Sequence, residues 1–222
     1  MSSNYEIETP EYLAHGFNVL QAMMLSDSED DHIEKCMALS GYKKGMEICD
    51  MGCGVGYAAN LMNFLGYKTA GVTDSIYQYD YAINHYLKTL FAFCDMIETP
   101  FLGESFDAVQ WMESIGYVGQ QKAFAEAHRL LKRGGKAIVK DFAVIGYAEE
   151  TCQSWSYRFV SAGAMITMAE SEGLKLVKAF ALNANGQRYE RLFNESKVLR
   201  ELHPAGMNIK ATIPFWYEFV KL

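Results

Sequence analysis

Asp50, Asp74, Asp95 and Glu113 carry the chemistry in this sequence, each standing at the end of a short apolar run. Each is therefore expected at the carboxyl edge of a sheet, where α/β folds place their ligands. Asp50 is the most informative, because Gly52, Gly54 and Gly56 follow it at alternate positions, with Cys53 among them. Glycine has no Cβ, so the backbone can turn tightly and let a ligand approach closely. The next helix would offer its first free N–H groups to the same spot. The spacing differs from the G-x-G-x-x-G of dinucleotide sites. An acid ahead of the loop suits a cationic ligand group better than a phosphate. A glycine-rich turn that holds no ligand is the plain alternative.

Helix and strand signals alternate through the middle of the chain, which predicts an α/β fold with a mostly parallel sheet. Ser28 and Asp31 form a capping-box-like start for a first helix that Gly41 would end. Strands are expected at 46–50, 68–73, 90–94, 106–111 and 136–142, with helices at 56–65, 78–87 and 121–131. The last of these helices places Ala123, Phe124, Ala127, Leu130 and Leu131 on one face, and Gly134-Gly135 should stop it. A helix at 162–172 and strands at 174–180 and 213–222 complete the pattern. No repeat or linker interrupts it.

The 222 residues fit a single domain, with 1–40 as an N-terminal helical cap and 143–161 and 183–211 as candidate lid segments. No apolar run approaches the ~20 residues that span a bilayer. The first eleven residues lack the basic and apolar regions of a signal peptide. A net charge of −7 and a pI near 5.3 argue against a nucleic-acid partner. Five cysteines without C-x-x-C spacing predict free thiols, no disulfide, no zinc and a cytoplasmic location.

These motifs, in this order, resemble the class I S-adenosylmethionine (SAM)-dependent methyltransferases from about 46 to 142. The glycine segment is similar to their first motif, which implies that Asp50, Gly52, Cys53, Gly54 and Gly56 bind SAM. SAM carries a cationic ammonium and sulfonium. Gly71-Val72-Thr73-Asp74-Ser75-Ile76-Tyr77-Gln78 resembles a subgroup with G-V-T-x-S-x-x-Q. Cyclopropane-fatty-acid synthases, tocopherol-type methyltransferases and isoprenoid C-methyltransferases belong to it. By that resemblance Thr73 and Gln78 face the ribose. Asp74 is the alternative, since successive strand residues point to opposite faces. The resemblance also implies that Asp95 accepts from the adenine amino group while the Met96 N–H donates to a ring nitrogen.

Phe106 to Ser114 resembles the family's fourth motif, which brings Trp111 into the cofactor set. His128 to Gly135 is similar to its R-x-L-K-P-G-G segment, with Arg133 in place of proline. The family implies a Rossmann-like, doubly wound, mostly parallel seven-stranded sheet with helices on both faces and an antiparallel last strand. It also implies S-adenosyl-L-homocysteine (SAH) as the product.

Glu113 to Val118 resembles a segment of bacterial prenyl-diphosphate C-methyltransferases, without its Asn. A methylated alkene carbon leaves a cation that needs a carboxylate or aromatic faces, then a base. Glu113 is the expected catalytic group, with Tyr117 and His128 as comparable partners; a structural His128 is the plain alternative. The acceptor is expected to be small and apolar, and an isoprenoid-like alkene fits. An N- or O-methyltransferase and a non-catalytic SAM-binding module are the other readings. Trp155, Tyr157, Arg158 and Phe159 could wall the acceptor, and Arg188 and Arg191 could add charge. Ordinary lid packing is the alternative for each.

Overall fold

The computed structural model describes residues 5–145, 150–152, 156–184, 187, 191, 194–202 and 212–222. Five parallel strands form the body of the sheet: β1 (Glu47–Met51), β2 (Lys68–Thr73), β3 (Leu90–Phe93), β4 (Phe106–Met112) and β5 (Leu131–Val144). The helices between them are α3 (Tyr57–Phe64), α4 (Ile76–His85) and α5 (Gln120–Leu130), preceded by α1 (Tyr5–Ala14) and α2 (Glu29–Ser40). After β5 come β6 (Glu150–Cys152), β7 (Tyr157–Ser161), α6 (Ala162–Ser171), β8 (Leu174–Ala181), α7 (Lys197–Leu202) and β9 (Thr212–Lys221).

The strand order β3-β2-β1-β4-β5 continues through β9, antiparallel to β5, to β8. Those seven strands are the expected doubly wound sheet. Two more extend it. β5 runs past Phe142, and its end pairs with β7 through Ala143–Val160 and Val144–Ser161. β6 folds back antiparallel on β7. Part of the expected lid at 143–161 is thus a hairpin on the sheet. Tyr157, Phe159 and Val160 are buried there while Arg158 is exposed. Such a hairpin binds its backbone N–H and C=O groups within the ladder, which a loose lid would leave to water.

Local signals explain most boundaries. Ser28 caps α2 by accepting from the Asp31 N–H, and Gly41 closes it at φ 63°. Ser75 caps α4 by accepting from the Gln78 N–H at 3.2 Å, so this helix begins two residues earlier than expected. The central core lies between the sheet and α5–α6, around Trp111, Phe124, Leu130, Val139 and Phe219. On the opposite face α2 and α3 pack over Ile48, Met62, Ile138 and Trp216. A third cluster joins Tyr12 and Phe17 to Phe142, Tyr157 and Phe159, tying the N-terminal cap to the end of β5. The cap therefore lies over the carboxyl edge of the sheet.

Candidate functional site

A cavity of about 320 Å³ opens at that edge, and the turn after β1 forms its floor. The Gly52 and Cys53 N–H groups both donate to the Val72 carbonyl, at 2.9 and 2.8 Å. The three glycines have positive φ for different reasons. A Cβ on Gly52 would lie 2.5 Å from Ser114, and one on Gly56 would lie 2.6 Å from Phe91. At Gly54 the nearest atom is a Leu20 methyl 3.9 Å away. Gly54 faces open space, whereas Gly56 lets helix and sheet pack and does not line the cavity.

Asp50 lines the cavity and is buried, and burial raises its pKa to about 6 against the opposing effect of a Gln110 hydrogen bond. Gln110 Nε2 donates to Asp50 Oδ1 at 3.0 Å, and Tyr42 donates to the Gln110 oxygen at 3.0 Å. That chain fixes the carboxylate where a cation would neutralise it. Thr73 and Asp74 both line the cavity, contrary to the expectation from strand alternation. β2 ends at Thr73, so Asp74 is already in the turn and the period of two no longer applies. The Thr73 hydroxyl donates to Gln78 Oε1 at 2.8 Å, and Gln78 Nε2 donates to Thr9 of α1 at 3.2 Å. Asp95 and Met96 line the next turn, where Asp95 accepts from the Ile97 N–H at 3.0 Å. Trp111 does not join them. It is buried in the central core against Phe124, because alternation along β4 sends Gln110 toward Asp50 and Trp111 to the other face.

The far side of the cavity is built from the N-terminal cap and the turn after β4. Residues 17–24 cross it as a strap, pinned by two carboxylates. Glu29 accepts from the Asn18 and Val19 N–H groups, both at 2.9 Å. Glu113 accepts from Ala22 at 2.6 Å and Met23 at 3.2 Å, and it pairs with Lys140. Lys140 is 1% exposed and also donates to Gln21 Oε1 at 2.8 Å. Glu113 has φ 64°, held by its N–H bond to the Lys140 carbonyl at 2.7 Å. That backbone conformation is uncommon outside glycine and turns the carboxylate up to the strap. Glu113 thus lines the cavity with its charge already met.

Tyr117 also lines it, with its ring edge-on to Tyr5 at 5.3 Å and to Tyr157 at 4.5 Å. Tyr157 donates to Asp141 at 2.5 Å, and burial raises the Asp141 pKa to about 7. His128 is elsewhere. It lies on α5 with its ring against Gly173, beyond α6, because the 3–4 spacing that buries Phe124 and Leu130 turns it away from the sheet edge. Arg158 and Arg191 are exposed, while Trp155 and Arg188 lie outside the described residues. Among the described residues, no group of three or more potential ligands could hold a metal ion, and no helix is long and apolar enough to cross a membrane.

Sequence reasoning missed Tyr5, Glu8, Thr9, Gln21 and Lys140. No local motif marks them; a Lys inside an apolar strand was the one available signal.

Residues 49–139 match the model of a methyltransferase domain. The chain is 29% identical over 159 residues to sterol 24-C-methyltransferase erg-4 of Neurospora crassa, covering 66% of this chain and 42% of that protein. It spans less than half the length of the curated relatives it matches. Its structure resembles the [4+2]-cyclase SpnF (TM-score 0.82, 17% identity, 98% of this chain and 94% of that one). It also resembles geranyl diphosphate C-methyltransferase from Streptomyces coelicolor A3(2) (TM-score 0.73, 20% identity, 87% and 81%).

Proposed function

We propose that this chain, a class I SAM-dependent methyltransferase by its motifs and fold, methylates a carbon of a small, apolar, isoprenoid-like alkene. One observation carries the reading: a single cavity runs from the Gly54 turn and the acids Asp50, Asp74 and Asp95 to an aromatic and carboxylate wall under the strap. The residues present fit SAM. Gly54 leaves room above the turn, and the buried Asp50 carboxylate is a ready partner for a cationic ammonium. Gln78, steadied by Thr73 and Thr9, and Asp74 would face the ribose, while Asp95 and the Met96 N–H would read the adenine. When bound, SAM supplies an electrophilic methyl group on a good leaving group.

The chain's own part is alignment and exclusion of water, a proximity effect worth up to ~7–11 kcal/mol. α1 and the strap provide it. Glu113 acts through the strap as a positioning residue, with Tyr117 touching the acceptor. The wall disfavours an anionic acceptor: the residues described along the cavity include five acids and no Lys, Arg or His. The free thiols Cys36, Cys49, Cys53 and Cys94 suit a reducing compartment such as the cytoplasm.

Incubation of the purified chain with methyl-labelled SAM and a panel of branched alkenes and amines tests this by mass spectrometry. Label on an alkene carbon is expected. Label on nitrogen alone would move the chain to the N-methyltransferases, and SAM binding without any transfer would make it a binding module. The likeness to a [4+2]-cyclase gives one further reading, since a fold does not set its chemistry. Cyclisation of a polyene without loss of methyl from SAM would establish that one.

A further inference from the structure

The methionine end of SAM carries an ammonium and a carboxylate on the same carbon. In the proposed site Asp50 takes the ammonium, which leaves the carboxylate beside another acid. The residues described along the cavity include no Lys, Arg or His, so the side-chain donors in that wall are neutral. Gly52, Cys53 and Gly56 give their N–H groups to the Val72 and Cys53 carbonyls, so the turn after β1 offers few. Three side-chain amides line the cavity: Asn18, Gln21 and Gln78. Asn18 Nδ2 donates to Glu29 at 3.1 Å, and Gln78 Nε2 donates to Thr9 at 3.2 Å. The hydroxyls of Thr73 and Ser114 donate to Gln78 and to the Met51 carbonyl. Gln21 differs. Its bonds are made through oxygen, and its Nε2 donates to none of the described residues.

The orientation of this amide is fixed from behind the wall. Lys140 Nζ lies 2.8 Å from Gln21 Oε1, and an ammonium only donates, so the atom facing it is the oxygen. His32 Nε2 lies 2.8 Å from the same oxygen. Because His32 Nδ1 accepts from the Leu25 N–H at 2.9 Å, the ring proton sits on Nε2 and is donated to Gln21. Two donors on one amide oxygen polarise the group and strengthen its own N–H bonds as donors. Lys140 and His32 are buried and do not line the cavity, so their pull reaches it through Gln21.

The strap belongs to the acceptor side, but here it meets the turn after β1. The side chain of Leu20, next to Gln21, is the nearest neighbour of the open space at Gly54. We propose that the Gln21 amide donates to the carboxylate of the cofactor's methionine portion, and so makes the site specific for the intact amino acid over its decarboxylated form. This inference rests on the assignment of the cavity to SAM. Asp50 and Gln21 then hold the two opposite charges from the floor and from the strap, and bound cofactor fastens the strap by one further bond.

Calorimetry on the whole chain tests it by comparing SAH with its decarboxylated analogue, which keeps the nucleoside, the sulfur and the ammonium. The parent should bind SAH about tenfold more tightly, the equivalent of ~1.4 kcal/mol. Gln21→Met removes the donor without adding charge. It should abolish the preference and leave affinity for the decarboxylated analogue within about twofold of the parent. Gln21→Glu keeps an oxygen for Lys140 and His32 but puts a carboxylate where the donor was, so the preference should reverse in favour of the decarboxylated cation. An undiminished preference for SAH in Gln21→Met would overturn the assignment. So would an equal loss for both ligands, since a residue that only holds the strap weakens both alike. If neither variant folds, the parent still decides, because no preference for SAH over the analogue would overturn it equally. Absence of SAH binding to the parent would instead remove SAM from this cavity, and this inference with it.

Discussion

The proposed cofactor half of the cavity draws Asp50 from β1 itself and Gly54, Asp74 and Asp95 from the turns after β1, β2 and β3. The acceptor half draws Glu8, Gln21, Glu113 and Tyr117 from α1, the strap and the turn after β4, with Lys140 of β5 behind them. The first half is positioned chiefly by parallel strands in register, with Gln110 and Thr9 steadying Asp50 and Gln78 from other elements. The second depends on long-range links such as Lys140–Glu113 and Glu113 to the 22–23 backbone. One half is therefore built on the ladder of the sheet. The other is held by a few buried polar bonds, so single substitutions should separate the two.

The largest effect is expected at the strap. Glu113→Gln leaves the buried Lys140 without its counter-charge, which should cost about 3–5 kcal/mol in urea unfolding. Replacing both partners, as in Glu113→Gln with Lys140→Met, should recover much of that loss, because apolar replacement of a buried pair is often neutral. The double variant also sharpens the role of Glu113. A stable double variant with turnover within about tenfold of the parent marks Glu113 as a clamp. A loss of ~10²–10³-fold would place its charge at the reacting centre.

A middle-sized effect should appear with pH in the cofactor half. The folded pKa of Asp50 is about 6, above its ordinary 3.8. A raised carboxylate pKa means that folding disfavours the ionised form. Its contribution to stability is therefore greatest below about pH 4 and declines as pH rises to about 6. SAM binding has the opposite sign, since the cationic ammonium needs the carboxylate ionised. Affinity for SAM should rise through about pH 6 in the parent and lose that rise in Asp50→Asn, as read by calorimetry across the window. An unchanged pH dependence in Asp50→Asn would separate Asp50 from the cofactor. The smallest effect is expected at the exposed Asp95, where Asp95→Asn should weaken SAH by ~1 kcal/mol, the worth of one hydrogen bond.

What was legible in the sequence follows the same division. The α/β order, the glycine turn, the acids at the strand ends and the Ser28 cap are local signals, and each appears in the structure where its neighbours in sequence place it. The end of β2 at Thr73 was legible, but alternation was carried one residue past it to Asp74, which already lies in the turn. Trp111 and His128 share motifs with the site, yet their side chains point into the core and toward Gly173. Glu8 and Lys140 gain meaning only when α1 packs over the end of β5. The β6–β7 hairpin was invisible for a related reason: its two parallel pairs to β5 depend on where β4 ends, not on its own sequence.

The central claim is that the space above Gly54 belongs to SAM, and titrating SAH into the parent and into Gly54→Asn by calorimetry tests it most directly. Asn tolerates the φ of +57° at this position, so the backbone keeps its path while a side chain enters the cavity. The parent should bind one SAH per chain. The variant should melt within a few degrees of the parent and lose affinity by at least ~100-fold, about 2.7 kcal/mol. A folded variant that binds SAH as well as the parent does would contradict the assignment of this cavity to the cofactor.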